Sequence, residues 1–177
     1  MLKAESRSIC SSLLNLSSLF KSRKVLIEQQ NQGPSFARNR GVEATTSTHI
    51  AFLDSDDEWF NEKIELEKTF LENNSCYDII ASKYLSAPFK NSGKITFKQL
   101  LKRNYFLTPC VVIKKQSFID YGGFNENMRY AEDFLLWLTV IYDGNGYLLP
   151  FYGAGNLEEK RPFGEKGLSS NLKEMHQ

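Results

Sequence analysis

Short apolar runs alternate with longer segments of helical periodicity along this chain. A short apolar run between turn signals is typical of a buried strand, and such runs predict strands at 24–28, 50–53, 77–81, 110–113 and 147–152. Segments with apolar residues along one face predict helices at 9–20, 61–73, 97–104, 116–121 and 131–142. A further helix is predicted from residue 34 to an end between residues 41 and 45. The alternation indicates an α/β fold with a mixed, mostly parallel sheet flanked by helices.

Composition adds limits to this prediction. The 177 residues are 41% hydrophobic and 24% charged, which is typical of one ordinary domain with a substantial core. We expect that domain over 1–152 and a polar tail over 153–177. The net charge of +1 gives no bulk reason to expect a nucleic-acid or acidic partner. No apolar run approaches the ~20 residues that cross a bilayer, and three widely spaced cysteines suit a reducing, cytoplasmic compartment.

An acidic cluster follows the predicted strand 50–53, in the sequence Leu-Asp-Ser-Asp-Asp-Glu-Trp at 53–59. Its like charges repel unless a cation lies among them, and α/β sheets bind ligands at the carboxyl ends of strands. Because Mg²⁺ and Mn²⁺ prefer carboxylate oxygen, Asp56 and Asp57 are candidate metal ligands. The alternative is a solvated loop whose acids cap the next helix. A calcium-binding EF-hand is excluded, since Trp59 stands where that loop needs glycine.

A turn at 31–34, Asn-Gln-Gly-Pro, opens the helix that follows it. Gly33 lets the backbone approach a ligand closely, and the free N–H groups at a helix start attract anions. Arg38 can make a charge-assisted contact to a phosphate or a carbonyl, and Asn39 can bind a sugar or a base. The alternative interpretation is a turn and a helix whose arginines pair with acids elsewhere.

Two glycines at 122–123 precede a buried apolar helix that begins with Glu132 and Asp133. The glycines predict a flexible entry to a pocket. A carboxylate that is partly desolvated at a cleft has a raised pKa and can accept a proton. Alternatively, the two acids only interact favourably with the helix dipole.

These stretches, in this order, resemble the family 2 glycosyltransferases, which have the GT-A fold. The matching text is Asn-Gln-Gly-x-x-x-Ala-Arg-Asn-x-Gly at 31–41, Ile-Ala-Phe-Leu-Asp-Ser-Asp-Asp-Glu-Trp at 50–59, Gly-Gly-Phe-Asn-Glu at 122–126 and Glu-Asp-x-x-Leu-Trp-Leu at 132–138. Leu-Ser-Ser-Asn at 168–171 also looks like the family's late segment. The resemblance covers the chain from about 25 to 171.

The resemblance implies an inverting transfer from a nucleotide-diphosphate sugar to an acceptor hydroxyl, in bacterial surface polysaccharide or lipopolysaccharide synthesis. The resemblance also implies a glycan or lipid-linked acceptor, no nucleic-acid partner, and a cytoplasmic protein for which peripheral contact with the inner face of the membrane is possible. The implied site consists of Asp133 as general base with Glu132 beside it, Mg²⁺ or Mn²⁺ at Asp56 or Asp57, and Gly33, Arg38, Asn39 and Asp54 near the nucleotide.

One departure from the family pattern is large. Members begin with a strand-helix-strand unit that ends in Asp-Asp-Gly-Ser and forms the floor and one wall of the nucleotide pocket, and this sequence lacks that unit. We therefore expect an incomplete GT-A fold that starts inside the domain and binds nucleotide-sugar weakly. Two alternatives to an active enzyme remain open at this point. One is a catalytically inactive remnant or partner subunit of the same fold, and the other is an unrelated metal-dependent phosphotransferase.

Overall fold

The computed structural model describes residues 25–87 and 89–156. The predicted helix over 9–20, Pro88 and residues 157–177 lie outside the described residues. The helices are α1 (Pro34–Glu43), α2 (Lys63–Asn73), α3 (Phe97–Leu100), α4 (Lys115–Asp120) and α5 (Glu132–Asp143), and the strands are β1 (His49–Ala51), β2 (Asp57–Trp59), β3 (Ile79–Tyr84), β4 (Gly93–Ile95), β5 (Val111–Lys114) and β6 (Gly146–Asn156). A short 3-10 turn, Thr108–Cys110, leads into β5. None of the described helices is both long and apolar enough to cross a membrane.

The six strands form one mixed sheet in the order β1-β5-β3-β6-β2, with β4 also paired to β6. β3 and β6 run in parallel, from Ile79 opposite Gly146 to Tyr84 opposite Ala154. The other pairings among the described strands are antiparallel. The prediction of a mixed sheet flanked by helices is confirmed. The prediction that it is mostly parallel is wrong for the described residues, because apolar runs mark where strands lie and carry no information about their direction.

The two ends of the described region also differ from the prediction. The predicted strand at 24–28 has no strand in its described part, and Val25 and Leu26 are 59% and 68% exposed. An apolar run forms a strand only where a neighbouring strand accepts its backbone hydrogen bonds, and none lies beside 25–28 in the described region. At the other end, β6 continues past the predicted end at 152 to Asn156, because β2 pairs with this last part.

The core fills both faces of the sheet. On one face α5 packs through Leu136, Trp137, Val140 and Ile141. There the rings of Phe52, Phe118, Phe124 and Trp137 form a cluster with centroids 5.1–6.4 Å apart. On the opposite face Ile80, Val112 and Leu149 pack against Phe70 and Leu71 of α2. The aromatic cluster supports the segment after β1 and the start of α5 from below, and the candidate site lies there.

Candidate active site

Arg38 joins two acidic segments that are far apart in the sequence. α1 begins at Pro34, whose fixed φ suits the first helical position, and it carries Arg38 with only 13% of the side chain exposed. Nη2 donates to both carboxylate oxygens of Asp54, at 2.7 and 2.9 Å, and Nη1 donates to Oε1 of Glu132 at 3.0 Å. The guanidinium carbon lies 5.3 Å from the centre of the Phe124 ring. One arginine therefore connects the segment after β1 to the first turn of α5.

Asn39 fixes the glycine-rich turn that precedes α5. Its Nδ2 donates to the backbone oxygen of Phe124 and to Oε1 of Glu126, both at 2.8 Å. Its Oδ1 accepts from the backbone N–H of Phe124 at 3.0 Å. Gly123 has a φ of 67°, and a Cβ there would lie 3.0 Å from Oδ1 of Asn39 and from the Phe118 ring. The close approach of Asn39 therefore requires glycine at this position.

Glu132 and Asp133 open α5, where the helix dipole stabilises negative charge. Ala131 before them has φ 57° and ψ 20°, in the left-handed region that residues other than glycine seldom adopt. Thr108 Oγ1 donates to Oδ2 of Asp133 at 3.0 Å, and the backbone N–H of Phe134 donates to Oδ1 at 2.7 Å. Each oxygen of the Asp133 carboxylate is thus held by one donor.

Burial raises the pKa of both carboxyl groups. For Asp133, burial outweighs the opposing effects of the Phe134 N–H, the Thr108 hydroxyl and the charge of Arg38. For Glu132, burial and the charge of Asp133 outweigh its interactions with Arg38. Burial lowers the pKa of Arg38, but the charge and hydrogen bond of Asp54, together with the two acids of α5, raise it by more. The guanidinium therefore remains charged beside carboxyl groups that are easily protonated.

The acids after β1 fall into different environments. Asp54 faces Arg38, while Asp56 is exposed to solvent. Asp57 is buried at the start of β2, where the hydroxyl of Tyr84 donates to its Oδ1 at 2.5 Å. Burial raises the pKa of Asp57 to about 6, against the Tyr84 hydrogen bond and with the help of the charges on Asp56 and Asp54. The two predicted metal ligands therefore comprise one carboxylate in solvent and one inside the domain.

A second set of contacts ties the acidic segment to the 3-10 turn that carries Thr108. The indole Nε1 of Trp59 donates to the backbone oxygen of Pro109 at 2.8 Å. The ammonium group of Lys63 lies 4.9 Å from the centre of the Trp59 ring. From the sequence, Trp59 was used as evidence against an EF-hand and as part of the family motif at 50–59, and no role was predicted for Thr108 or Tyr84. In sequence, only the proline after Thr108 marks a turn, and Tyr84 looks like an ordinary strand residue.

The structure gathers most of the predicted site residues in one place. Those that contact or electrostatically influence one another are Arg38, Asp54, Asp56, Asp57, Glu132 and Asp133, with Asn39 next to Arg38. Gly33 has a φ of 92° just before α1, its N–H donates to Asn31 Oδ1 at 3.1 Å, and no hydrogen bond joins it to the acids within 25–87 and 89–156. Among the described residues, no group of three or more His, Cys, Asp or Glu is placed to hold a metal.

An open cleft of about 490 Å³ borders this group. Its lining includes Asn39, Gly123, Glu126, Glu132 and Thr139. The cleft therefore gives solvent access to the start of α5, directly beside the helical turn that carries Asp133.

A comparison with protein families tests the resemblance on which the site prediction rests. The model of glycosyl transferase family 2 matches residues 3–125, which is more than half of the chain. The chain belongs to glycosyl transferase family 2. The family 2 match includes α1, the acidic segment and the glycine-rich turn, and it ends before Glu132 and Asp133.

Family 2 relatives are found in several bacteria. An Escherichia coli protein named UDP-Glc:alpha-D-GlcNAc-diphosphoundecaprenol beta-1,3-glucosyltransferase WfgD is 28% identical over 154 residues, covering 84% of this chain and 58% of the relative. An uncharacterized glycosyltransferase of Rickettsia bellii is 34% identical, in an alignment that covers 63% of this chain and 17% of the Rickettsia protein. The putative teichuronic acid biosynthesis glycosyltransferase TuaG of Bacillus subtilis is 28% identical, in an alignment that covers 68% of this chain and 50% of TuaG. The chain thus spans between 17% and 58% of the length of these relatives.

Solved structures support the fold of this family 2 chain. S. aureus TarS 1-349 in complex with UDP-GlcNAc aligns with a TM-score of 0.65 and 18% identity, over 92% of this chain and 49% of TarS. The same protein in complex with UDP aligns with a TM-score of 0.59 and 22% identity, over 73% of this chain and 41% of TarS. At such identities the likeness shows the fold alone, and it confirms the predicted GT-A fold.

Proposed function

We propose that this chain transfers a sugar from a nucleotide-diphosphate sugar to an acceptor hydroxyl, with inversion at the anomeric carbon. The observation that carries the proposal is the charge imbalance around Arg38. Within the described residues it is the one cation that ion-pairs with this group, and it pairs with both Asp54 and Glu132. Asp56, Asp57 and Asp133 add further carboxyl groups nearby. Such a site favours a divalent cation, which can in turn bind a diphosphate.

Mg²⁺ or Mn²⁺ fits the acids of this site. Mg²⁺ keeps several waters and needs only one or two carboxylates together with substrate phosphates, so a cluster of three protein ligands is not required. We assign Asp56 as the ligand, because its carboxylate is exposed and free of ion pairs with the described residues. Asp57 is the second candidate, although its Oδ1 already accepts a hydrogen bond from Tyr84. When bound, the cation stabilises the charge that develops on the diphosphate leaving group.

Asp133 is the general base in this proposal. Its carboxylate is oriented by Thr108 and by the N–H of Phe134, and burial raises its pKa towards the range where a carboxylate accepts protons efficiently. The acceptor oxygen forms a bond to the anomeric carbon from the face opposite the diphosphate, and the bond from that carbon to the phosphate oxygen breaks. The hydroxyl proton passes to Asp133, while Glu132 holds Arg38 in place.

The relatives support a proposal for the donor and for the acceptor. TarS is described in complex with UDP and with UDP-GlcNAc, and the E. coli relative is named for UDP-glucose and for a diphosphoundecaprenol acceptor. We propose a UDP-sugar donor with Gly33, Arg38, Asn39 and Asp54 on the nucleotide side, and a glycan or lipid-linked acceptor. The names of the E. coli and B. subtilis relatives support a role in bacterial surface polysaccharide synthesis, and we propose that the protein works at the inner face of the membrane.

UDP release from UDP-glucose and UDP-GlcNAc, measured with Mn²⁺ and with a chelator, tests the proposal. Asp56→Asn should lower metal-dependent release about a hundredfold or more, since metal stabilisation of the leaving group is worth several kcal/mol. Glu58→Gln is the matched control, because Glu58 is an exposed carboxylate two positions away, and its release should be unchanged. Release that is insensitive to both the chelator and Asp56→Asn would refute the metal assignment. Calorimetric donor binding without any release would support the catalytically inactive alternative.

A further inference from the structure

One surface away from the candidate site carries several exposed cations that form no ion pair with another described residue. Between Asp78 and Asp120 the sequence has eight lysines and arginines and no acidic residue, although the whole chain has a net charge of only +1. Five of the eight are exposed and follow one another from the loop before β4 to the turn after α3, namely Lys90, Lys94, Lys98, Lys102 and Arg103. None of these five forms an ion pair with another described residue. We call this group the basic surface.

Local contacts hold the basic surface in one piece. The guanidinium of Arg103 lies 4.6 Å from the centre of the Phe89 ring, which brings the turn after α3 back to the loop that carries Lys90. Thr96 caps α3 through a reciprocal capping box with Gln99. Residues four apart on a helical turn are neighbours, so Lys98 and Lys102 present their charges side by side.

Apolar side chains are exposed among these cations. Leu101 is 55% exposed and Tyr142 is 69% exposed. The ring of Phe97 packs against Tyr142 with 5.2 Å between centroids, and the N–H of Leu101 donates to the backbone oxygen of Phe97 at 2.9 Å. The three side chains thus belong to one small apolar area between α3 and the end of α5.

We propose that the basic surface docks the protein onto a bilayer with anionic headgroups, with Leu101 and Tyr142 entering the headgroup region. Lysine and arginine are attracted to anionic lipid, tyrosine is favoured at the membrane interface, and leucine gains by leaving water. Nucleic acid would match the charges but offers no apolar phase for Leu101. The inference deepens the proposed function and rests on it for a role at the membrane, and it adds the surface that binds the lipid. Vesicle binding is measured without any substrate, so its failure is distinguishable from failure of the transfer assay.

Docking in this way has a geometric consequence for α5. Tyr142 and Asp133 stand on the same helix, about 14 Å apart along its axis at the usual rise per residue. A bilayer that binds Tyr142 therefore holds the first turn of α5 at a fixed distance from the lipid headgroups.

Co-sedimentation of the 177-residue chain with vesicles tests the proposal. One set contains phosphatidylcholine alone, and the other contains equal parts of phosphatidylcholine and phosphatidylglycerol. We expect binding to the second set only, and binding that weakens as salt is added. Lys98→Gln/Lys102→Gln should weaken it roughly thirtyfold, because each cation contributes about a fivefold factor near an anionic surface.

Two further variants distinguish binding through the basic surface from non-specific attraction between any exposed cation and anionic lipid. Arg40→Gln/Lys68→Gln removes two exposed charges from α1 and α2, each of which pairs with a glutamate on its own helix, and it should bind as the unaltered chain does. Leu101→Ser should weaken vesicle binding even at high salt, without altering thermal stability. The proposal is overturned if the two double variants bind alike, if Leu101→Ser changes nothing, or if duplex DNA binds more tightly than the anionic vesicles.

Discussion

Arg38 and Asp133 show how two charged side chains are accommodated at the scale of single residues. Arg38 is nearly enclosed, and it keeps its charge because Asp54 and Glu132 both accept its hydrogen bonds. Asp133 has donors on both oxygens, yet burial still raises its pKa. The first arrangement suits a permanent cation that organises the site, and the second suits a group that gains and loses a proton.

Thr108→Val tests how the Asp133 carboxylate is tuned. The change removes the hydroxyl that lowers the pKa of Asp133, while Arg38, Asp54 and Glu132 still face it. The pKa of Asp133 in the folded protein should rise further, because the charged form loses a hydrogen bond. A base works only when deprotonated, so the acid limb of the kcat–pH profile should move to higher pH.

Thr108→Ser is the control for that experiment, because serine keeps the hydroxyl and loses only a methyl group. Its acid limb should coincide with that of the unaltered protein. Equal shifts in both variants would show that Thr108 acts through packing and not through its hydrogen bond to Asp133.

The charged residues of this site could be predicted from the sequence, but the side chains that hydrogen-bond to them could not. Arg38, Asp54 and Asp133 lie in motifs whose residue types already indicate charge chemistry. Thr108 and Tyr84 act through contacts to residues 25 and 27 positions away in the chain, and such contacts have no local signature. Asn39 was predicted to face the nucleotide, a prediction that no observation yet tests, and its amide is held by the Phe124 backbone and Glu126.

At the scale of elements, α2 contains a buried ion pair in which each charge depends on the other. Lys63 and Glu67 lie one helical turn apart with their charged atoms 2.6 Å apart, and their side chains are almost fully enclosed. Removing one partner leaves a buried charge unpaired. Lys63→Met should therefore lower the free energy of unfolding by about 3–5 kcal/mol, measured by urea denaturation.

Replacing both partners is the informative comparison. Lys63→Met/Glu67→Met removes both charges and keeps apolar volume, so it should recover most of the lost stability. A double variant that stays as unstable as Lys63→Met would mean that the pair itself, and not the avoided lone charge, stabilises α2.

The glycine-rich turn before α5 supports a second prediction at this scale. Both Gly122 and Gly123 have positive φ, but a Cβ meets Asn39 and Phe118 only at Gly123 and finds open space at Gly122. Gly123→Ala should lose about 1–3 kcal/mol of unfolding free energy, and Gly122→Ala should lose less because it has backbone strain alone. Equal losses in urea denaturation would contradict the close approach of Asn39.

Element prediction succeeded where periodicity was strong and failed where pairing decides. α1, α2 and α5 were predicted because proline, apolar spacing and length mark them in the sequence. β2 was not predicted, since Asp57–Trp59 has a polar and acidic sequence and is a strand only because it pairs with the end of β6. The direction of each strand likewise depends on a partner distant in the sequence.

At the scale of the whole molecule, one mixed sheet brings the acidic segment and the start of α5 together. The aromatic cluster beneath them fixes their spacing, and Arg38 bridges them from α1. The fold class and family could be predicted because the motifs occur in order at family-like separations. The chain spans at most 58% of the length of these relatives, and a transfer assay tests the activity that we propose for it.

The transfer rate of Asp133→Asn tests the central claim most directly. Asparagine has nearly the same shape but cannot accept the acceptor proton, so kcat for sugar transfer should fall about a hundredfold to ten-thousandfold while UDP binding is retained. Asp143→Asn, at the exposed opposite end of α5, is the matched control and should transfer at the unaltered rate. An Asp133→Asn chain that transfers sugar as fast as the unaltered chain would contradict the account.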